Sequence, residues 1–244
     1  MIVRVPVAPL WSRPDAATAR DAQALAPEPD IAAWLSGMLQ QQMLETEIVT
    51  QLLVGERVIV EQVRSDGWAH VVALDQPAKN LDPRGYPGWL RISHLRRECC
   101  PRENDYLVAP DFSNTPSGAA VVARARDFIG TPYVWGGLSA HGLDCSGLVH
   151  LVWRHFGVSL PRDAAEQSAT TDAVSDPEPG DLYFFAYPGM PIHHVGIATE
   201  TDHMVHASSV DHCVIEMQLS PAQRTTMVGA RRGSSRESGA GREG

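Results

Sequence analysis

The sequence predicts two domains, a small β-barrel followed by an α+β domain, and three observations carry that reading. Its 244 residues allow two modest domains at roughly 100 to 200 residues each. Its first hundred residues alternate in the two-residue period of strands, with turn residues between the runs. The rest places helical patterns ahead of a series of short strands, the order of an α+β domain. With 43% apolar and 20% charged residues the composition is that of an ordinary globular chain. Twenty Lys and Arg against 29 Asp and Glu give a net charge of −9, no footprint for polyphosphate, so nucleic acid is not an expected partner. No run approaches the roughly 20 apolar residues of a membrane span. The start, MIVRVPVAPLWSRPD, lacks the layout of a signal peptide, so the chain as written is expected in the cytoplasm.

Val3, Val5 and Val7 alternate as a first strand. PEPDIAAWLSGMLQQQMLE follows, with Asp30 as N-cap and Ile31, Trp34, Leu35, Met38, Leu39 and Met43 at helical spacing, predicting one inserted helix over about 30–44. IVTQLLVGERVIVEQV and GWAHVVAL are β-branched runs split by Gly-Glu and Ser-Asp-Gly turns, and QPAKNLDPRGYPGWL is a turn-rich loop leading to a last strand. CPRENDYLVAPDFSNTPSG reads as a linker, so the first domain is taken as 1–110 and the second as 111–232. In the second, Ser117 caps a helix that Gly130 stops, and a helix starting at DCSG is apolar on nearly every side up to Gly157 and is expected to be buried. DLYFFAY, HHVGIATE, MVHAS and CVIEMQL read as strands; residues 233–244 have no apolar anchor and are expected to be disordered.

Cys145 stands at the first turn of that buried helix, where free N–H groups and the helix dipole favour thiolate, the attacking form. A lone cysteine is ordinarily a small buried hydrophobe, so it needs a base to mean more. A hairpin with its turn centred on Glu200 sets His194 directly across from His206, with Gly196 and Ala198 on the same face, leaving a shallow surface for the cysteine's helix. The three form a nucleophile, base and orienting residue. His193, His203 and His212 are left as ordinary solvated histidines. Metal is disfavoured, since HExxH is absent and His203 and His206 fall on opposite strand faces. Cys99 and Cys100 are adjacent and Cys213 sits in a strand; all three are expected to be inert.

GTPYVWGG, GLDCSGLVHLVWRHFGVSLPRDAAEQ, PGDLYFF, HHVGIA and MVHAS together resemble the papain-like NlpC family of bacterial cell-wall peptidases, over about residues 117–232. TQLLVGERVIV and DPRGYPGW are similar to the bacterial SH3-like barrel of its cytoplasmic members, which cleave γ-D-glutamyl to diamino-acid bonds. The resemblance implies Cys145 as nucleophile, His194 as base and His206 as the third residue, with Tyr133 near the oxyanion and Trp135 walling the pocket. It implies that Asp144, Ser146, Arg162 and Asp163 line the groove, Arg162 or Ser146 for a free α-carboxylate and Asp163 for an α-ammonium. Tyr86 and Glu47, with Glu45 close behind, are the barrel residues expected to reach the substrate amine. Two features depart from the pattern: one SH3-like domain where relatives carry two, and Val54 in place of an aromatic. The implied activity is hydrolysis of a γ-D-glutamyl-meso-diaminopimelate (or Lys) bond in murein tripeptides or tetrapeptides with a free N-terminal L-Ala, in peptidoglycan recycling, without cofactor. A secreted hydrolase of intact murein, an acyl-transferring relative and a peptide-binding module remain as alternatives. The complete Cys, His, His set speaks against the module. Nothing in the sequence fixes an oligomeric state.

Overall fold

A computed structural model describes residues 1–97 and 116–233. Cys99, Cys100, the linker, the proposed boundary near 110 and the tail from 234 lie outside the described residues. The N-terminal part contains β1 (Ile2–Val3), β2 (Val7–Trp11), α1 (Ala22–Leu25), α2 (Ile31–Ser36), α3 (Gln40–Leu44), β3 (Ile48–Leu53), β4 (Val58–Val63), β5 (Trp68–Ala73), β6 (Tyr86–Arg91) and β7 (Leu95–Arg96). Five of these strands form one antiparallel sheet in the order β3-β2-β6-β5-β4, while β1 pairs with β7. β3 and β4 are joined by residues 54–57 alone yet stand at opposite ends of that order. The sheet therefore curls, but among the described residues no ladder joins its two edges, and the expected barrel is an open sheet.

Val3 and Val5 face one core with Ala8, Leu10 and Leu52, whereas Val7 joins Trp11, Ile31, Trp34 and Ile48 in a second. The simple alternation of three valines fails because a bend at Val5 and Pro6 resets which face each side chain takes, as proline lacks the N–H a ladder needs. The inserted helix is also two short helices. Asp30 caps α2 through a bond from the Ala33 N–H (2.9 Å), as expected, but Gly37 ends it and Leu39 is turned out to solvent. Ile31, Trp34 and Leu35 still bury their side chains.

The C-terminal part contains α4 (Gly118–Arg126), β8 (Leu138–Ser139), β9 (Gly142–Leu143), α5 (Cys145–His155), α6 (Ala164–Thr170), β10 (Asp172–Val174), β11 (Leu182–Ala186), β12 (Ile192–Glu200), β13 (His203–Ser208), β14 (Cys213–Gln218), α7 (Pro221–Thr226) and β15 (Met227–Arg232). Its six-stranded antiparallel sheet runs β10-β15-β11-β12-β13-β14. Ser117 caps α4 by accepting from the Ala120 N–H. The helix ends at Arg126, short of Gly130, so Ile129 is exposed. α5 is buried as its composition predicts: Leu148, Val149, Val152 and Trp153 pack with Val195, Ile197, Val205, Ala207 and Val214. Each such side chain stabilises by roughly 1.5–3 kcal/mol. Cys213 lies in β14, as expected of a strand residue, and is half-buried.

The two parts are joined by polar contacts. The Leu138 N–H donates to Gln51 Oε1 (3.0 Å), the Trp135 N–H to the Met43 carbonyl (2.9 Å), and the Glu166 carboxylate accepts from the N–H groups of Lys79 (3.0 Å) and Asn80 (2.7 Å).

Candidate active site

Asp144 sets the start of α5. Its Oδ1 accepts from the Gly147 N–H (2.6 Å) and its Oδ2 from the Gly136 N–H (2.9 Å). Both oxygens also take the guanidinium of Arg162, at 2.9 and 2.7 Å. A side chain at Gly147 would place its Cβ 2.2 Å from the Gly137 carbonyl oxygen, so glycine is needed for this close approach. Arg162 is 1% exposed and also donates to Ser146 Oγ (3.0 Å), Thr50 Oγ1 (2.8 Å) and the Gly137 carbonyl (3.3 Å). Burial works against its charge, and Asp144 overcomes burial to hold it above its usual range. Arg162 is thus not a groove residue: its donors are spent inside the protein. Asp144 edges the cavity, but its lone pairs are spent in the same way.

Cys145 opens α5 beside the backbone N–H groups of Val195 and Ser146. These pull the thiol down, as a helix start should, yet burial outweighs them and pushes it up to about 12, with Asp144 adding in the same direction. Burial therefore favours the thiol form of Cys145, contrary to the expectation from position alone. The group that could accept its proton is one residue away from the Val195 contact. His194 Nε2 lies 2.7 Å from His206 Nδ1, the rings nearly perpendicular at 80°. With Nε2 so engaged, Nδ1 is the remaining nitrogen of the His194 ring.

The register differs from the simple hairpin. Ile197 opposes Val205 and Ala198 opposes Met204, with an irregularity between Ala198 and Glu200. Extending that ladder, Gly196 falls opposite His206. His194 and His206 are therefore diagonal neighbours on one face. A Cβ on Gly196 would meet Met204 Sδ at 2.4 Å and His206 Cβ at 3.2 Å, so this face is filled by those side chains. α5 packs instead over Val195 and Ile197 on the other face, and Cys145, its first residue, meets the Val195 backbone N–H.

Burial lowers His194 to about 3, with His206 adding to the shift, and lowers His206 to about 4, with Asp211 opposing. Fully buried His150, bonded through Nδ1 to the Leu160 carbonyl (2.7 Å), is likewise lowered to about 3. Unfolded imidazoles near 6.5 take up protons that these native ones refuse, so each contributes stability that is lost as pH falls below 6.5. The loss is on the order of 2 kcal/mol per imidazole by pH 4.5, while Glu56 and Asp163, raised by burial, act in the opposite sense. Urea midpoints should therefore drop between pH 6.5 and 4.5, with a shallower slope in His150→Gln; equal slopes would contradict this account.

Two cavities meet at Tyr133, Trp135, Tyr187 and His193. The first, 510 Å³, holds Cys145, Ser146, Asp163 and Tyr86, with Val49 from β3. Tyr86 Oη donates to Asp163 Oδ2 (3.2 Å). Burial raises the Asp163 carboxyl, and Arg162 opposes it. The second, 750 Å³, holds His194, His206 and the loop 208–211. Trp135 walls both and is half-exposed, as expected of a groove residue.

Glu47 does not reach this wall: it is exposed, with its carboxylate 3.4 Å from the Ser12 hydroxyl. Glu45 is exposed as well, bonded to Gln41, and Val54 is turned to solvent between β3 and β4. His193, read as an ordinary surface histidine, stacks on Tyr187 with ring centroids 4.5 Å apart and borders both cavities. The adjacency of Tyr187 to a strand that pairs with that of His193 is the signal that could have found it. Among the described residues no three His, Cys, Asp or Glu side chains converge to hold a metal ion.

Residues 130–232 match the sequence profile of the NlpC/P60 family. Two curated proteins named γ-D-glutamyl-L-lysine dipeptidyl-peptidase are similar to this chain. The one from Bacillus subtilis is 28% identical over 82% of this chain and 87% of its own length. The one from Bacillus cereus is 30% identical over 62% of this chain and 44% of its own length. A crystal structure of an NlpC/P60 family protein from Bacillus cereus matches with a TM-score of 0.84 at 24% identity, over 95% of this chain and 98% of that one. The last likeness is one of fold.

Proposed function

Because the chain carries an NlpC/P60 domain over residues 130–232, with the papain-like fold of that family, we propose that it is a cysteine peptidase of murein peptides. Its substrate in this reading is a tripeptide or tetrapeptide with a free N-terminal L-Ala, cut between γ-D-Glu and meso-diaminopimelate or Lys. Such peptides arise when cell-wall fragments are recycled. One observation carries the reading: Cys145 shares its cavity with the hydroxyl-carboxylate pair of Tyr86 and Asp163, a half-buried anion placed to receive an ammonium. The dipeptidyl-peptidase names of the two Bacillus relatives point to the same class.

In the proposed mechanism Cys145 Sγ attacks the γ-carbonyl carbon as its proton passes to His194 Nδ1. The oxyanion forms against the Cys145 N–H, with the Tyr133 hydroxyl as a second donor. His194 then gives the proton to the departing amine nitrogen, the C–N bond breaks and a thioester remains. Water, deprotonated by the same imidazole, attacks the thioester and releases the dipeptide acid and the thiol. His206 holds His194 at the angle this exchange requires. Ser146 lines the cavity, but its hydroxyl donates to Asp144 Oδ1 (3.3 Å) and accepts from Arg162, so neither Ser146 nor Arg162 is left to meet the α-carboxylate of D-Glu. Incubation with L-Ala-γ-D-Glu-meso-diaminopimelate should give L-Ala-γ-D-Glu and free diaminopimelate by mass. An intact peptide, or cleavage at the L-Ala bond, would overturn the proposal.

A further inference from the structure

We propose that Thr50 in the N-terminal sheet is a positioning residue for catalysis, because it closes a buried chain of hydrogen bonds that grips both ends of the nucleophile's helix. This rests on Cys145 being the nucleophile. At the helix start, Arg162 clamps Asp144 and hands its Nε–H to Thr50 Oγ1 (2.8 Å). Thr50 then donates its hydroxyl proton to Gln76 Oε1 (2.8 Å). Gln76 Nε2 donates to Glu56 Oε2 (2.9 Å) and to the Gln51 carbonyl (2.8 Å). The other oxygen of Glu56 accepts from Arg154, in the last turn of α5. Thus α5 belongs to the peptidase domain, while the residues that tie its two ends together, Thr50, Gln76 and Glu56, belong to the N-terminal part.

An arginine can only donate, so a lone pair of Thr50 receives Arg162, and the hydroxyl proton has Gln76 Oε1 at 2.8 Å against the more distant Gln51 carbonyl at 3.4 Å. That sets the Gln76 amide with its nitrogen toward Glu56, and the guanidinium of Arg162 cannot turn away from Asp144. Thr50 and Gln76 are fully buried and Glu56 is 1% exposed, so a broken link is not repaired by water, and a half-satisfied buried network is costly. A network serving only to glue two domains would need no connection to the helix cap. This one ends on Asp144, whose oxygens hold the turn that presents Cys145.

The test is Thr50→Val, which keeps the side chain's shape and removes both bonds, against Thr50→Ser, which restores the hydroxyl. Turnover is expressed per Cys145 thiol in folded protein, the folded fraction being read from an unfolding curve at the assay temperature, so loss of folded protein is not counted as loss of catalysis. A displacement below an ångström at the nucleophile costs up to about a hundredfold. Thr50→Val should therefore lose about 10- to 100-fold in kcat per thiol with KM nearly unchanged, and Thr50→Ser should recover most of it. Gln76→Ala, one link further from the nucleophile, should fall in the same direction. Normal kcat per thiol in Thr50→Val or Gln76→Ala overturns the proposal whatever their melting temperatures. So does failure of both to fold, which would make the network a folding requirement only. Cys145→Ala run alongside separates the two ideas: if it stays active the assignment of the nucleophile fails, and if it is dead while Thr50→Val is normal only the positioning role fails.

Discussion

Cys145→Ala is expected to abolish turnover while leaving the fold intact. The thiol occupies a small buried position at the edge of the core, so replacing sulfur by hydrogen removes little packing. It removes the only atom placed to form a thioester in the cavity shared with Tyr86 and Asp163. His194→Ala should cost as much, because a thiol pushed up to about 12 by burial cannot lose its proton near neutral pH without an adjacent acceptor. His206→Ala should leave residual activity, since it orients the acceptor and carries no proton itself. The measurement is turnover of the murein tripeptide with a thermal unfolding curve for each variant. A Cys145→Ala protein that still cleaves, or a His206→Ala variant as dead as His194→Ala, would break the assignment of roles.

The pairing of His194 with His206 was more legible in the sequence than the scaffold around it, for physical reasons. A cysteine between an N-cap aspartate and an apolar run announces a buried helix start, and strand parity puts His194 and His206 on one face wherever residues paired across the hairpin have numbers of like parity. Parity survives a two-residue slip in register, so the irregularity at Thr199 moved the direct partner of His194 without separating the histidines. Arg162 was legible as a functional residue but not in its role. What fixes that role is Thr50, 112 residues away in the chain, and no local pattern links the two. β15 was missed because its residues, Met-Val-Gly-Ala-Arg-Arg, bury only Ala230 and show no alternation. The thiol's direction of shift was misjudged for a similar reason: helix position can be read locally, whereas burial is a property of the whole fold.

Acetylating the amine of L-Ala in L-Ala-γ-D-Glu-meso-diaminopimelate should lower kcat/KM about a thousandfold on the intact protein. Asp163 and Tyr86 line the cavity of Cys145 from the two parts of the chain, carboxylate against hydroxyl. Burial already raises the Asp163 carboxyl, which means its charge is poorly solvated and gains from an arriving ammonium. The acetyl group removes that ammonium, adds bulk at the same place and leaves the carboxylate with the Tyr86 hydroxyl but no cation, a cost of several kcal/mol. Glu47, exposed and bonded to Ser12, offers no second anion to compensate. Asp163→Asn provides the internal control: it should slow the free peptide strongly and the acetylated one little, so that the preference for a free amine collapses. Murein still amide-linked through L-Ala would be excluded on the same grounds. Equal rates for free and acetylated peptide on the intact protein would show that the N-terminal sheet does not read the amine, and would move the chain toward hydrolysis of intact cell wall.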